Sequence, residues 1–240
     1  MKIVTVENYE EMSALAAKII GQSVQSNPTA TLGLATGSTV LGTYANLRQA
    51  YASGQLSFKD IRTINLDEYV GLGCDHEHSY AYYMLSNLFD HIDIDRANTF
   101  IPRGDATDLE AECQRYGDLL AKLPRDIQLL GIGSDGHIAF NEPGSPFDSR
   151  TRVVQLATST IKDNSRLFSR IEDVPTRAIT VGIADIMCAK KLLLLASGLN
   201  KAKAVKAMLQ GAVDTCCPAS ILQTHTDVTV ILDKQAASLL

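Results

Sequence analysis

Short apolar runs and longer stretches of helical spacing take turns along this chain. Lys2 to Val6 reads as a strand. After Asn8 the apolar positions Met12, Leu15, Ala16, Ile19 and Ile20 recur on one helix face, behind an Asn8/Glu11 capping pattern. The step repeats with Thr31 to Ala35 as a buried strand, a Thr36-Gly37-Ser38-Thr39 turn and a helix from about Val40 to Tyr51. It repeats again with Ile61 to Leu66, a Gly-rich loop and a helix capped by Ser79. Thr107 and Glu110 predict a capping box for a helix that closes before Pro124, and Ile127 to Gly133 is a near-continuous apolar run, as a strand covered on both faces should be. Arg152 to Leu156, Ala178 to Val181, Lys191 to Ala196 and Val228 to Leu232 predict further strands, and Lys201 to Leu209 a helix. The alternation predicts an α/β fold of the doubly wound, Rossmann-like kind, a mostly parallel sheet with helices on both faces. No linker-like composition interrupts the 240 residues, so a single domain over residues 1–240 is expected.

Composition narrows the partners. A net charge of −5 without clustered Lys and Arg argues against nucleic acid. The longest apolar stretch, Leu192 to Ala196, is far too short to span a bilayer, and the first residues lead into a strand instead of a signal peptide. No membrane association and a cytoplasmic location are expected. Five cysteines, with Cys216 and Cys217 adjacent, suggest no disulfide framework and fit a reducing compartment.

Candidate chemistry gathers where loops follow strands, because ligands of an open parallel sheet bind beyond its strand carboxyl ends. Thr36-Gly37-Ser38-Thr39 joins a strand to a helix start, where N–H groups and hydroxyls suit a phosphate; a capped Gly turn fits equally well. Gly131-Ile132-Gly133-Ser134-Asp135-Gly136 matches a dinucleotide fingerprint as a bare pattern. The Pro143 and Pro146 that follow forbid the helix such a site needs, and no cofactor is expected. Within the same loop, carboxylates of Asp135 and Glu142 near His137 would orient the imidazole and select its tautomer for proton transfer. Asp67 ends an apolar strand, where partial desolvation makes a carboxylate a better base, although a turn role is open to it. Asp75-His76-Glu77-His78 lacks a further ligand at defined spacing, so no metal is expected. Lys201 and Lys203 open a helix against its dipole, a conflict an anionic ligand would resolve. Arg166 and Arg170 lie in a long polar stretch, Ser159 to Thr176, that reads as a flap over the cleft.

Two segments, Leu66-Asp67-Glu68-Tyr69-Val70-Gly71-Leu72 and Gly131-Ile132-Gly133-Ser134-Asp135-Gly136-His137-Ile138-Ala139-Phe140-Asn141-Glu142-Pro143, resemble the signature segments of glucosamine-6-phosphate deaminases. Asn164-Ser165-Arg166-Leu167-Phe168 and Gly198-Leu199-Asn200-Lys201-Ala202 fit too, so the likeness spans nearly the whole chain. The resemblance implies conversion of glucosamine 6-phosphate and water to fructose 6-phosphate and ammonia. Asp67 would be the enolisation base, and His137, held by Asp135 and Glu142, would open the ring. Thr36, Gly37, Ser38, Thr39, Arg166 and Lys201 would hold the phosphate. Allosteric hexameric members carry two basic residues two apart; here Arg152 fits the first and Val154 the second, so the resemblance implies a short, monomeric form with little activation by N-acetylglucosamine 6-phosphate. Two other readings stay open, a 6-phosphogluconolactonase and a non-catalytic sugar-phosphate sensor, the first of which has no use for a carbon-2 base.

Overall fold

A computed structural model describes residues 1–165 and 168–240. The chain runs β1 (Lys2–Val6), α1 (Tyr9–Ser26), β2 (Thr31–Leu34), α2 (Leu41–Ala52), β3 (Arg62–Asn65), β4 (Asp67–Tyr69), α3 (Tyr80–Asn87), β5 (Thr99–Phe100) and α4 (Leu109–Lys122). It continues with β6 (Ile127–Leu130), β7 (Arg152–Gln155), α5 (Thr158–Asn164), β8 (Arg177–Thr180), α6 (Ile183–Ile186), β9 (Leu192–Ala196), α7 (Ala202–Gln210) and β10 (Val228–Asp233). Seven strands form one sheet in the order β1-β10-β9-β6-β2-β3-β5, and every pairing in it is parallel. The α/β fold is the expected one. Central strands β2, β6 and β9 are buried along their whole length, which is why they read as unbroken apolar runs, whereas edge strand β1 is largely exposed.

Caps set the helix starts. Asn8 and Ser79 accept the N–H groups of Glu11 and Tyr82, as the sequence predicts. The cap of α4 is instead Asp108, whose carboxylate accepts the Ala111 N–H at 2.9 Å. Asp108 stands one residue beyond Thr107, and its charge adds an attraction to the helix dipole that a hydroxyl lacks.

The strands predicted over Arg152–Leu156 and Ala178–Val181 leave the parallel sheet. They form a second, antiparallel sheet in the order β4-β8-β7. The run from Ile61 divides at Leu66: Arg62–Asn65 pair within the large sheet and Asp67–Tyr69 within the small one. The polar segment read as a flap, Ser159 to Thr176, carries most of α5. Aromatic and aliphatic side chains of Tyr69, Phe140, Leu156 and Ala178 give the small sheet a core of its own. Among the described residues no helix is long and apolar enough to cross a membrane.

Candidate active site

Winding of the large sheet reverses between β2 and β6, since β3 and β5 lie on one side of that pair and β9, β10 and β1 on the other. Loops diverging from such a point leave a crevice. A cavity of about 480 Å³ lies there, lined by Thr36, Gly37, Ser38, Thr39, Asp67, His137 and Lys201 among others.

The loop after β2 is fixed from outside. Tyr44, Tyr83 and Tyr9 donate their hydroxyls to the carbonyls of Ala35 (2.5 Å), Gly37 (2.8 Å) and Ser38 (3.0 Å). In a planar trans peptide the N–H points opposite to the C=O, so the amides of Thr36, Ser38 and Thr39 face away from the tyrosines. Gly37 and Gly198 both take positive φ, 103° and 94°, and each leads through a 3-10 turn into a helix, α2 and α7. Lys201 stands at the end of the second turn. Arg166 lies outside the described residues.

Asp67 begins β4 and is 7% exposed. Burial, and then the charge of Glu68, push its carboxyl up to about 8. Glu68 faces the other way and accepts three backbone N–H groups, from Tyr69 (2.9 Å), Tyr80 (2.9 Å) and Ala81 (2.8 Å), which secures the start of α3. Burial moves the Glu68 carboxyl up to about 7 against the pull of those amides.

His137 is half-buried, with Nδ1 2.7 Å from Oδ1 of Asp135. The same oxygen accepts the His137 N–H at 3.2 Å. Burial raises the Asp135 carboxyl, and the hydrogen bond and charge of His137 overcome it, holding it at about 2. The ring lies flat on the preceding backbone: a Cβ at Gly133 would sit 2.3 Å from its Cε1 and Nδ1. Glu142 Oε1 accepts the Ala157 N–H at 2.9 Å, so it ties down the entry to α5.

Two residues not predicted as site residues join the halves. Thr180 is the cross-strand partner of Asp67, and its hydroxyl accepts the Phe140 N–H at 3.1 Å. Buried Asn141 donates to the carbonyls of Ile138 and Val181 and accepts from Arg152 Nη1 at 2.9 Å. The His137 loop is thereby fastened to the strand beside Asp67. Ala139, at φ 51°, is the one described non-glycine residue in the left-handed region, at a turn facing the cavity. Tyr80, Thr160, Asn164, Ser197 and Asn200 also line the cavity. Thr160 and Asn164 were missed because α5 follows the small sheet, where the rule about parallel strand ends gives no guidance.

Known proteins resemble this chain over its whole length. The family model described as glucosamine-6-phosphate isomerases/6-phosphogluconolactonase matches residues 6–231. A glucosamine-6-phosphate deaminase of Bacillus pumilus is 51% identical over the full length of both chains. One from a Geobacillus species is 52% identical, covering 100% of this chain and 96% of the relative. A solved monomeric glucosamine-6-phosphate deaminase is similar at 49% identity, with a TM-score of 0.99 and 100% coverage of both chains. A 6-phosphogluconolactonase from Trypanosoma brucei, 23% identical with a TM-score of 0.82 over 100% of this chain and 98% of its own, shares the fold.

Proposed function

Since the chain belongs to the family of glucosamine-6-phosphate isomerases and 6-phosphogluconolactonases, we propose that it is a glucosamine-6-phosphate deaminase, working in the cytoplasm as a monomer of one domain, residues 1–240. The observation that carries this reading is one cavity lined together by a buried carboxylate, Asp67, an imidazole, His137, the Thr36 to Thr39 loop and Lys201.

His137, oriented by Asp135, takes the proton of the anomeric hydroxyl and returns one to the ring oxygen, giving the open-chain aldehyde. Asp67 then removes the carbon-2 proton beside that carbonyl and delivers a proton to carbon 1 through a cis-enolamine. Water adds to the resulting ketimine at carbon 2, and ammonia leaves as the ketone forms. Thr36 to Thr39, Lys201 and Arg166 hold the phosphate, so binding energy remote from the reacting atoms serves orientation. Glu142 acts on this site from the entry to α5 and supports the loop that carries His137.

A buried carbon-2 base separates this reading from lactone hydrolysis, which needs none. The test is ammonia and fructose 6-phosphate formation from glucosamine 6-phosphate with no metal or nucleotide added. Asp67→Asn is expected to lower turnover about 10²- to 10⁴-fold with substrate binding largely kept. Faster hydrolysis of 6-phosphogluconolactone than of the amino sugar, or full turnover in Asp67→Asn, would overturn the assignment.

A further inference from the structure

One rung of the small sheet reaches toward both reacting groups. Arg152 of β7 pairs with Thr180 of β8, which pairs in turn with Asp67 of β4. Residues directly opposite one another in antiparallel strands point their side chains to the same face, so the guanidinium, the Thr180 hydroxyl and the Asp67 carboxylate stand in a row. The His137 loop lies against that row and is held at two consecutive residues. Thr180 takes the Phe140 N–H at 3.1 Å, and Arg152 Nη1 donates to Oδ1 of Asn141 at 2.9 Å.

Asn141 is fully buried and closes the turn that follows His137. Its Nδ2 donates to the Ile138 carbonyl at 3.0 Å and to the Val181 carbonyl at 2.9 Å, and its N–H donates to the Ile138 carbonyl at 3.1 Å. Ala139, inside this turn, holds φ at 51°, a conformation that persists where the surroundings impose it. A side-chain amide is an acceptor at one end and a donor at the other, and it serves both carbonyls here with its nitrogen toward them. Arg152 carries donors alone, so it fixes that orientation by holding the oxygen. The other bonds of its fork run to the Arg150 carbonyl at 3.3 Å and the Ser145 hydroxyl at 3.4 Å. All three acceptors are neutral, and burial of the uncompensated charge draws the Arg152 pKa down. Desolvating a cation to hold neutral groups is costly for stability alone.

We propose that Arg152 is a positioning residue of the reaction: acting through Asn141, it fixes the turn that presents His137 to the cavity at a set distance from Asp67. The kinetic consequence rests on the deaminase reading. Substrate phosphate is held by loops of the large sheet on that reading, so loosening the turn disturbs alignment of the imidazole and leaves binding in place.

The test combines steady-state kinetics, with rates expressed per folded molecule, and proton–nitrogen NMR of the His137 imidazole. Arg152→Met is expected to lower kcat about tenfold, to change KM by less than about twofold and to displace the imidazole signals. Arg152→Lys still offers Asn141 a donor and should recover most of that kcat. Arg177→Met, at an exposed position on the neighbouring strand, should leave kcat and the signals as they are. Should Arg152→Met fail to fold, Arg152→Gln, too short to reach Asn141, takes its place with the same expectation. A kcat kept in the Met or Gln variant, imidazole signals that do not move, a loss expressed in KM instead, or a Lys variant as impaired as the Met variant overturns the proposal. The NMR arm needs no turnover, so a wild type inactive on glucosamine 6-phosphate would sink the deaminase reading and leave the His137 signals to decide the role of Arg152.

Discussion

Asp67 sits where water cannot solvate its charge, and a base must be ionised to act. With its carboxyl at about 8 in the free protein, kcat/KM for glucosamine 6-phosphate is expected to rise through neutral pH and level off above about pH 8. An ascending limb centred near about pH 4, the range of an ordinary carboxyl, would show that burial does not govern the base. The same burial acts on stability. The folded state holds this proton more tightly than the unfolded chain, so the contribution of Asp67 to stability is fully present below about pH 4 and is lost as pH rises to about 8. Asp67→Asn removes that loss: its melting temperature should gain on the wild type progressively across this window and run parallel above it, as thermal melts at several pH values would report. At this scale the sequence pointed to cavity-lining residues where polar positions come within a few residues of a parallel strand's end, as at Thr36, Asp67, His137 and Lys201. It was silent on Thr180, whose role comes from pairing with Asp67 across strands far apart in sequence.

Elements hold these residues through contacts made at their ends. Glu68 accepts three N–H groups around β4 and the start of α3. Glu68→Ala leaves those donors without an acceptor in a buried setting and is expected to cost about 3 kcal/mol, several degrees in melting temperature. The tyrosine hydroxyls behind the β2 loop do comparable work for the loop proposed to hold the phosphate. Tyr83→Phe frees the Gly37 carbonyl, so KM should rise about fivefold while kcat is largely kept, a pattern that steady-state kinetics resolves. Helix and strand periods were legible because buried runs and capping residues are local. The division of the Ile61 run at Leu66 was not, since an apolar strand looks the same whichever sheet receives its last residues. The start of α4 slipped by one residue for a similar reason: Thr107 and Asp108 are both good caps, and backbone geometry decides between them.

Across the whole molecule, the two sheets meet at the cavity, with the Thr36 to Thr39 loop on the large sheet and Asp67 on the small one. The Arg152 fork is engaged with Asn141 and Ser145, and the position two residues on is Val154. On the proposed reading the enzyme should run as a monomer in light scattering and give hyperbolic rate curves that N-acetylglucosamine 6-phosphate leaves unchanged. Sigmoidal curves straightened by that compound would contradict it. The seam at Leu66 carries a broader implication. On the proposed reading, holding the phosphate falls to the large sheet and the carbon-2 proton transfer to the small one, and the chain passes from one to the other at Leu66. Selection can therefore retune catalytic speed through the smaller sheet while the affinity set by the larger one stays where it is.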